Sequence, residues 1–157
     1  MLNVKRKLKT LASVVAMVRN EMLLLNKIRL ALQEQNCITF RCNVGKVKMA
    51  DGRWFDTGLP SGFSDLLAIR KDGKACFIEV KDGNNKPSEK QCNFLIAMIK
   101  SGCAAGVAYS TEDAIKIVNW TPECAEISET LIRNYLKGAK QNDESKRIKT
   151  NFRGLRQ

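Results

Sequence analysis

The sequence predicts one α/β domain in which a central mixed β-sheet is flanked by helices. Three observations predict this fold: a helix-forming start without proline or glycine in the first forty residues, a β-hairpin pattern over residues 65–81, and alternating helix and strand signals after it. This order of elements is typical of a sheet covered by helices. With 157 residues the chain is long enough for one hydrophobic core and short for two.

The formal net charge of +11 is concentrated at the two ends of the chain. Residues 1–35 and residues 137–157 each carry seven Lys and Arg against two acids, whereas residues 36–136 carry thirteen against twelve. We therefore expect a basic N-terminal helical segment over 1–35, packed on the core or at a dimer interface, a core over 36–136, and a flexible basic tail over 137–157. Basic ends suit phosphate binding, and solubilising ends are the alternative.

Composition excludes some classes of protein. No uninterrupted apolar run of about 18 residues exists, which argues against a membrane span. Six cysteines without a C-x-x-C pair, and no histidine, argue against a structural zinc site and for a reduced, cytoplasmic protein.

Apolar residues recur at helical spacing from Val14 to Gln35, which predicts one helix or two with a break near Arg19-Asn20. Asn36 is the expected C-terminal cap, followed by strands over 37–42 and 46–49. Residues 50–64 are predicted to form a loop. Its Trp54 and Phe55 either pack on the core, which is favoured, or lie exposed for stacking on bases.

The second half predicts strands over 66–69 and 75–80, joined by a turn at Asp72-Gly73. A helix then begins at Ser88 and ends at Gly102. A buried strand over 104–109, a helix capped by Ser110 or Thr111, and a last helix over 122–136 complete the order.

Chemistry is expected at the ends of the hairpin strands. Asp65 precedes the first strand, and Glu79 and Lys81 are two residues apart at the end of the second, so both project to one side. Antiparallel pairing brings Asp65 beside them. Two carboxylates and a main-chain carbonyl form an oxygen-rich site that suits Mg²⁺ or Mn²⁺.

These residues resemble the PD-(D/E)XK nuclease superfamily, with its restriction-endonuclease-like core, and within it the VRR-NUC (virus-type replication-repair nuclease) domains. The resemblance covers roughly residues 38–112. It rests on five segments in order: Phe40 to Gly45, Gly62 to Leu66, Ile78-Glu79-Val80-Lys81, Ser88 to Gln91 with Phe94, and Gly102 to Ala105 followed by Ser110 to Asp113.

The resemblance implies a role for each matching residue. Asp65, Glu79 and the carbonyl of Val80 would bind the metal, Lys81 would orient the attacking water, and Gln91 would hold a water or support the metal site. We also expect DNA contacts from six residues: Arg41, Asn43, Lys46, Lys48, Ser64 and Lys86.

The sequence departs from the family pattern on the first helix. Family members often place a metal-contacting Glu there, at a position that aligns near Leu25, whereas the nearest acid is Glu21, one turn earlier. Either Glu21 binds metal through a shifted register or the second metal site is weak.

Each site residue also has a purely structural interpretation. Glu79 and Lys81 alternate as a surface ion pair would, Gln91 suits a capping box with Ser88, and Asp65 suits a loop cap. The joint occurrence of five segments in one basic chain favours the nuclease.

The resulting expectation is a Mg²⁺-dependent DNA endonuclease, structure-selective on four-way junctions or flaps. The stand-alone members that it resembles are homodimeric phage proteins of DNA repair and recombination. No membrane and no small-molecule cofactor are expected. A catalytically weak or inactive nucleic-acid-binding module is the alternative, and a restriction-type or tRNA-junction enzyme would differ only in substrate.

Overall fold

The computed structural model describes residues 2–121 and 124–138. Within them the elements follow in the order α1 (Leu2–Glu34), β1 (Ile38–Arg41), β2 (Lys46–Lys48), β3 (Trp54–Asp56), β4 (Leu66–Ile69), β5 (Ala75–Val80), α2 (Glu89–Lys100), β6 (Ala104–Ala108) and α3 (Thr111–Val118). Residues 124–138 form a further helix, α4. Residues 139–157, most of the predicted tail, lie outside the described part, as do residues 122 and 123, where the last helix was expected to begin.

Helix α1 is continuous, so the suggested break near Arg19-Asn20 is wrong. A polar pair is insufficient to interrupt a helix that contains neither proline nor glycine. The helix ends at Glu34, and Asn36 caps it as expected, with a φ of 60°. The amide of Asn36 donates to the carbonyl of Gln33 and that of Cys37 to Leu32, a Schellman motif that satisfies the last carbonyls.

The central sheet has the strand order β1-β4-β5-β6. The first two pairings are antiparallel, and β5 pairs with β6 in parallel through the crossover helix α2. The predicted mixed sheet is therefore confirmed, including the hairpin with its turn at Asp72-Gly73.

Helices cover both faces of this sheet. Phe77 of β5 contacts Phe94 of α2, whereas Gly106, which is paired with Ile78, faces Ile117 of α3. Because adjacent residues of a strand point to opposite faces, α2 and α3 lie on opposite sides. Helix α1 contacts α3, β1 and β5. The core therefore fills both sides of β5, the strand that ends at the predicted site.

The region predicted to be a loop contains a strand. Residues Trp54–Asp56 form β3, which pairs antiparallel with β2 in a separate two-stranded sheet, here called the ribbon (residues 46–56). The strand β3 was not predicted because its three residues, Trp54-Phe55-Asp56, lack polar–apolar alternation. The Asp51-Gly52 turn between β2 and β3 was the available hairpin signal.

The favoured packing of Trp54 and Phe55 on the core is also wrong. Trp54 is 66% exposed and Phe55 is 56% exposed. Every residue of β2 and β3 is exposed, because the ribbon does not lie against the central sheet. The two rings therefore stand in solvent.

None of the helices in the described residues is long and apolar enough to cross a membrane. Three of the six cysteines, Cys37, Cys76 and Cys92, are buried.

Candidate active site

The site begins at Asp65, one residue before β4. Leu66 pairs with Ile78, and continuing this register places Asp65 opposite Glu79. A carboxylate oxygen of Asp65 (Oδ2) accepts a hydrogen bond from the backbone amide of Val80 at 2.9 Å. The Asp65 carbonyl accepts from the amide of Cys42 at 2.8 Å. Asp65 is thereby fixed between the ends of β1 and β5, as the hairpin pattern predicted.

Glu79 is fully buried at the opposite position. Its Oε1 accepts from Lys81 Nζ at 2.5 Å and from Gln91 Nε2. Its Oε2 is buried and has no hydrogen-bond partner among the described residues. Burial, and then the charge of Asp65, raise the pKa of Glu79 to about 8 despite the neighbouring ammonium of Lys81. The chain alone therefore leaves this carboxylate only partly satisfied.

Lys81 lies between three carboxylates. Its Nζ is 2.5 Å from Glu79 Oε1 and 3.8 Å from Glu21 Oε1, and its side chain is 12% exposed. Burial alone would lower the pKa of Lys81, but Glu79, Asp65 and Glu21 together outweigh it and raise the pKa. The ammonium therefore remains charged, and its N–H groups can donate hydrogen bonds.

Gln91 has two functions at once. Its backbone amide donates to the Ser88 hydroxyl and its Oε1 accepts from the Ser88 amide at 2.8 Å, which completes a capping box at the start of α2. Its Nε2 donates to Glu79. The structural interpretation of Gln91 as part of a capping box is therefore confirmed, and the same side chain contacts Glu79.

Glu21 reaches the site from α1, whereas Leu25 is buried in the core. A cavity of about 210 Å³ between α1 and the hairpin is lined by Glu21, Arg41, Asn43 and Asp65, among others. Glu21 therefore contacts the site through Lys81.

A second cavity, of about 410 Å³, lies on the other side of Asp65 and is lined by Asn43, Gly62, Ser88 and Gln91, among others. Asp65 and Asn43 line both cavities. Together the two cavities provide space for a substrate on either side of the Asp65 carboxylate.

The loop that carries Asp65 is seated on α2. Gly62 has a φ of +94°, and a Cβ there would lie 2.6 Å from the backbone carbonyl of Lys90. The ring of Phe63 packs against Phe94 and Phe77, with centroid distances of 4.6 and 5.7 Å. Gly62 and Phe63 thus hold the segment just before Asp65, a role that a glycine before Ser-Asp only hints at in the sequence.

The expected DNA contacts fall into three groups. Arg41 and Asn43 line the cavity of about 210 Å³. Lys46, Lys48 and Lys86 are exposed and line neither cavity. Ser64 differs from them: it is fully buried, and its hydroxyl donates to the carbonyl of Leu66 at 3.2 Å. Its hydroxyl does not reach the surface.

The donors present suit a hard divalent cation. Two carboxylates that oppose one another across β4 and β5, with one buried oxygen lacking a partner, are an arrangement that a cation stabilises. Within residues 2–121 and 124–138 no three His, Cys, Asp or Glu side chains are grouped closely enough to hold a metal by themselves. Main-chain carbonyl and water ligands would therefore be needed.

The chain is similar to known proteins of one family. The model of the VRR-NUC domain family matches residues 19–112, more than half of the chain, starting within α1. A solved structure of a VRR-NUC domain is 24% identical to this chain with a TM-score of 0.47, covering 63% of this chain and 94% of that one. No curated protein matched the chain. The family match confirms the resemblance: the chain belongs to the VRR-NUC domain family, a family of nuclease domains.

Proposed function

We propose that this chain is a metal-dependent endonuclease that hydrolyses DNA phosphodiester bonds at Asp65, Glu79, Lys81 and Gln91. The observation that carries the proposal is the buried Glu79 carboxylate, with one unpartnered oxygen, placed opposite Asp65. Buried polar atoms are nearly always paired, so an unpaired carboxylate oxygen beside a second carboxylate supports a bound cation at this position. Membership of a nuclease family supports the same interpretation.

Asp65, Glu79 and the main-chain carbonyl of Val80 would hold Mg²⁺ or Mn²⁺. When bound, the cation supplies positive charge where negative charge develops on the phosphate during hydrolysis. The site preorganises its own ligands: Val80 N–H fixes Asp65, and Gln91 and Lys81 fix one oxygen of Glu79. The second oxygen of Glu79 is then left for the cation.

Lys81 acts as a hydrogen-bond donor. Glu21 lines the cavity of about 210 Å³ together with Asp65, and the Lys81 ammonium is held between Glu79 and Glu21. From there it orients the attacking water and donates to a phosphate oxygen. A charged ammonium donates hydrogen bonds and cannot accept a proton, so Lys81 is not the general base in this proposal.

The proposed substrate is branched DNA, and the proposed functional unit is a homodimer with two sites. Helix α1 supports the dimer, because it exposes a set of large apolar side chains: Val14, Val15, Val18, Met22, Leu23 and Leu30. Contiguous exposed apolar surface is typical of an interface.

Cleavage of a four-way junction, a flap and a plain duplex in Mg²⁺ tests the proposal. We expect the wild-type protein to cut the junction or the flap, and Lys81→Ala to lower the cleavage rate by about 10²- to 10³-fold. Lys71→Ala, which removes the same charge from the exposed turn of the hairpin, should cleave like the wild type.

Lys81→Ala leaves Glu79 without its ion pair, so the fold of the variant is verified by circular dichroism and Lys81→Arg is measured beside it. Lys81→Arg keeps the charge but moves the donor, and it should also be slow. The proposal is wrong if the wild type cleaves none of the three substrates, or if Lys81→Ala cleaves as fast as Lys71→Ala.

A nucleic-acid-binding module without catalysis is the second candidate. The observation that favours it concerns Glu21, the acid on the first helix: its carboxylate lies 3.8 Å from the Lys81 ammonium. The described residues contain no group of three candidate metal ligands that would include Glu21 with Asp65 and Glu79. This candidate predicts DNA binding by a wild-type protein that neither binds Mn²⁺ nor cleaves any substrate.

A further inference from the structure

The ribbon of residues 46–56 exposes both of its faces. All six residues of β2 and β3 are exposed, including Trp54 at 66%. Large aromatic side chains are usually buried at least in part, and an isolated two-stranded sheet is marginal in water. The ribbon therefore lacks the packing that normally justifies a tryptophan.

The ribbon is nevertheless held in a defined shape. At its base, Gly45 and Thr57 exchange two hydrogen bonds, one backbone and one to the Thr57 hydroxyl, both at 3.1 Å. Lys46 pairs with Asp56 at 3.1 Å, and at the tip the Met49 amide donates to the Arg53 carbonyl at 2.7 Å. These bonds fix the strands without a core, so Trp54 is presented on an ordered support.

The register places Trp54 beside Lys48. Lys48 pairs directly with Trp54, and Lys46 with Asp56, so these side chains share one face while Val47 and Phe55 share the other. An aromatic ring beside an ammonium matches a nucleotide, whose base stacks and whose phosphate is anionic. The net charge of +11 favours a polyanion in the same way.

The ribbon also begins at the edge of the candidate active site. Asn43 and Val44, just before its base, line the cavity that contains Asp65. Trp54 is three residues from Thr57, which corresponds to about 10 Å along a strand. This distance equals about three nucleotide steps of 3.4 Å. Trp54 therefore lies about 10 Å beyond the base of the ribbon, which adjoins the cavity that Asp65 lines.

We propose that Trp54 stacks on an unpaired base of DNA while Lys48 contacts the backbone, so that the ribbon selects DNA with single-stranded or branched character. A base inside a duplex already stacks on its neighbours, whereas an unpaired base offers its face to the ring. The inference rests on the proposed function only in placing the substrate at Asp65.

The test measures binding without metal, so that no cleavage occurs. The full chain is titrated in EDTA with a fluorescein-labelled single-stranded oligonucleotide and with a blunt duplex of the same sequence. Wild-type protein is compared with Trp54→Phe, Trp54→Ala and Phe55→Ala. Phe55→Ala is the matched control, because it removes an exposed ring from the opposite face of the same strand pair.

Removal of the Trp54 ring should weaken single-strand binding. We expect Trp54→Ala to raise the Kd for the single strand about 5- to 100-fold, with less than a threefold change for the duplex. Trp54→Phe and Phe55→Ala should stay within about threefold of the wild type. An equal loss in Trp54→Ala and Phe55→Ala, or no loss in Trp54→Ala, overturns the proposal.

Intrinsic fluorescence gives an independent measurement. The chain has two tryptophans, and Trp120 is only 7% exposed. An unlabelled single strand should therefore quench wild-type emission through Trp54, and this quenching should be absent in Trp54→Phe. Unquenched wild-type emission, or a Trp54→Ala variant that loses oligomeric mass in sedimentation while binding DNA normally, also overturns the proposal.

The result is separable from that of the nuclease proposal. If the wild type does not cleave but its Trp54 emission is quenched by single-stranded DNA, the ribbon proposal holds and the nuclease proposal fails. If Mg²⁺-dependent cleavage occurs and Trp54→Ala binds the single strand normally, the nuclease proposal holds and the ribbon proposal fails.

Discussion

The carboxyl group of Glu79 lies in the interior beside Asp65, and its pKa is raised to about 8. In the metal-free protein the folded state therefore holds a proton that the unfolded chain, with its ordinary glutamate pKa near 4.5, releases. The contribution of Glu79 to the free energy of unfolding is complete below the pKa of the unfolded chain. It is lost as the pH rises through the pKa of the folded protein. We predict that the free energy of unfolding in EDTA falls between pH 5 and pH 8 because of Glu79.

Urea unfolding of the wild type and of Glu79→Gln at several pH values measures this effect. The glutamine keeps the shape and cannot ionise, so the difference in stability between the two proteins should move in favour of Glu79→Gln as pH rises. Parallel pH profiles for the two proteins would show that Glu79 ionises without a cost to the fold.

Gly62 is a second residue whose surroundings allow only glycine. A Cβ at this position meets the Lys90 backbone at 2.6 Å, and its φ of +94° is unfavourable for other residues. We predict that Gly62→Ala lowers stability by about 1–3 kcal/mol and slows cleavage more than stability explains, because the loop that carries Asp65 shifts.

Gly73→Ala is the control for Gly62→Ala. Gly73 has a similar φ of +81°, but nothing lies within 4 Å of its Cβ position. It should lose stability from backbone strain alone and keep its cleavage rate once folded. Equal loss of cleavage in both variants would mean that contact with α2 does not position Asp65.

The spacing of residues was enough to predict which of them meet at the site. Glu79 and Lys81 share one side of a strand end, and antiparallel pairing brings Asp65 opposite, so three residues follow from local rules. The contact of Glu21 with Lys81 and the burial of Ser64 do not follow, because each depends on how separate parts of the fold pack.

At the scale of elements, the capping box of α2 links helix stability to the site. Ser88→Ala removes the side-chain cap and loosens Gln91, which also donates to Glu79. We predict a loss of about 1 kcal/mol in the free energy of unfolding, together with slower cleavage.

Ser110→Ala provides a matched comparison. Ser110 caps α3 by accepting a hydrogen bond from the Asp113 amide at 3.1 Å. Unlike Ser88, it does not cap the helix that carries Gln91. Its variant should show a similar loss in chemical denaturation and an unchanged cleavage rate. If both variants cleave equally fast, the cap does not orient Gln91.

Element prediction succeeded where a local signal and tertiary packing agree. The two capped helices and the hairpin have strong turn and cap residues, and β5 is buried on both faces. In the ribbon, the strand predicted over 46–49 is present as β2, whereas β3 was missed, because a short strand that is exposed on both faces needs no apolar pattern.

In the whole molecule, we propose that the basic residues at the two ends of the chain provide most of the affinity for DNA. Residues 139–157 carry six Lys and Arg against two acids. We predict that removing them weakens duplex binding and flattens the plot of log K against log salt, by about 0.9 for each phosphate that the shortened chain no longer neutralises. Fluorescence anisotropy from about 50 to 300 mM salt measures both quantities, and an unchanged slope would assign these residues to solubility.

The central claim is that Asp65 and Glu79 form a divalent-metal site. Calorimetric titration of the purified chain with Mn²⁺ tests it most directly, with Asp65→Asn beside the wild type and Asp72→Asn, at the turn end of the same hairpin, as the charge-matched control. We predict saturable binding in the wild type and in Asp72→Asn that disappears in Asp65→Asn. A flat wild-type titration, or equal binding by all three proteins, would contradict it.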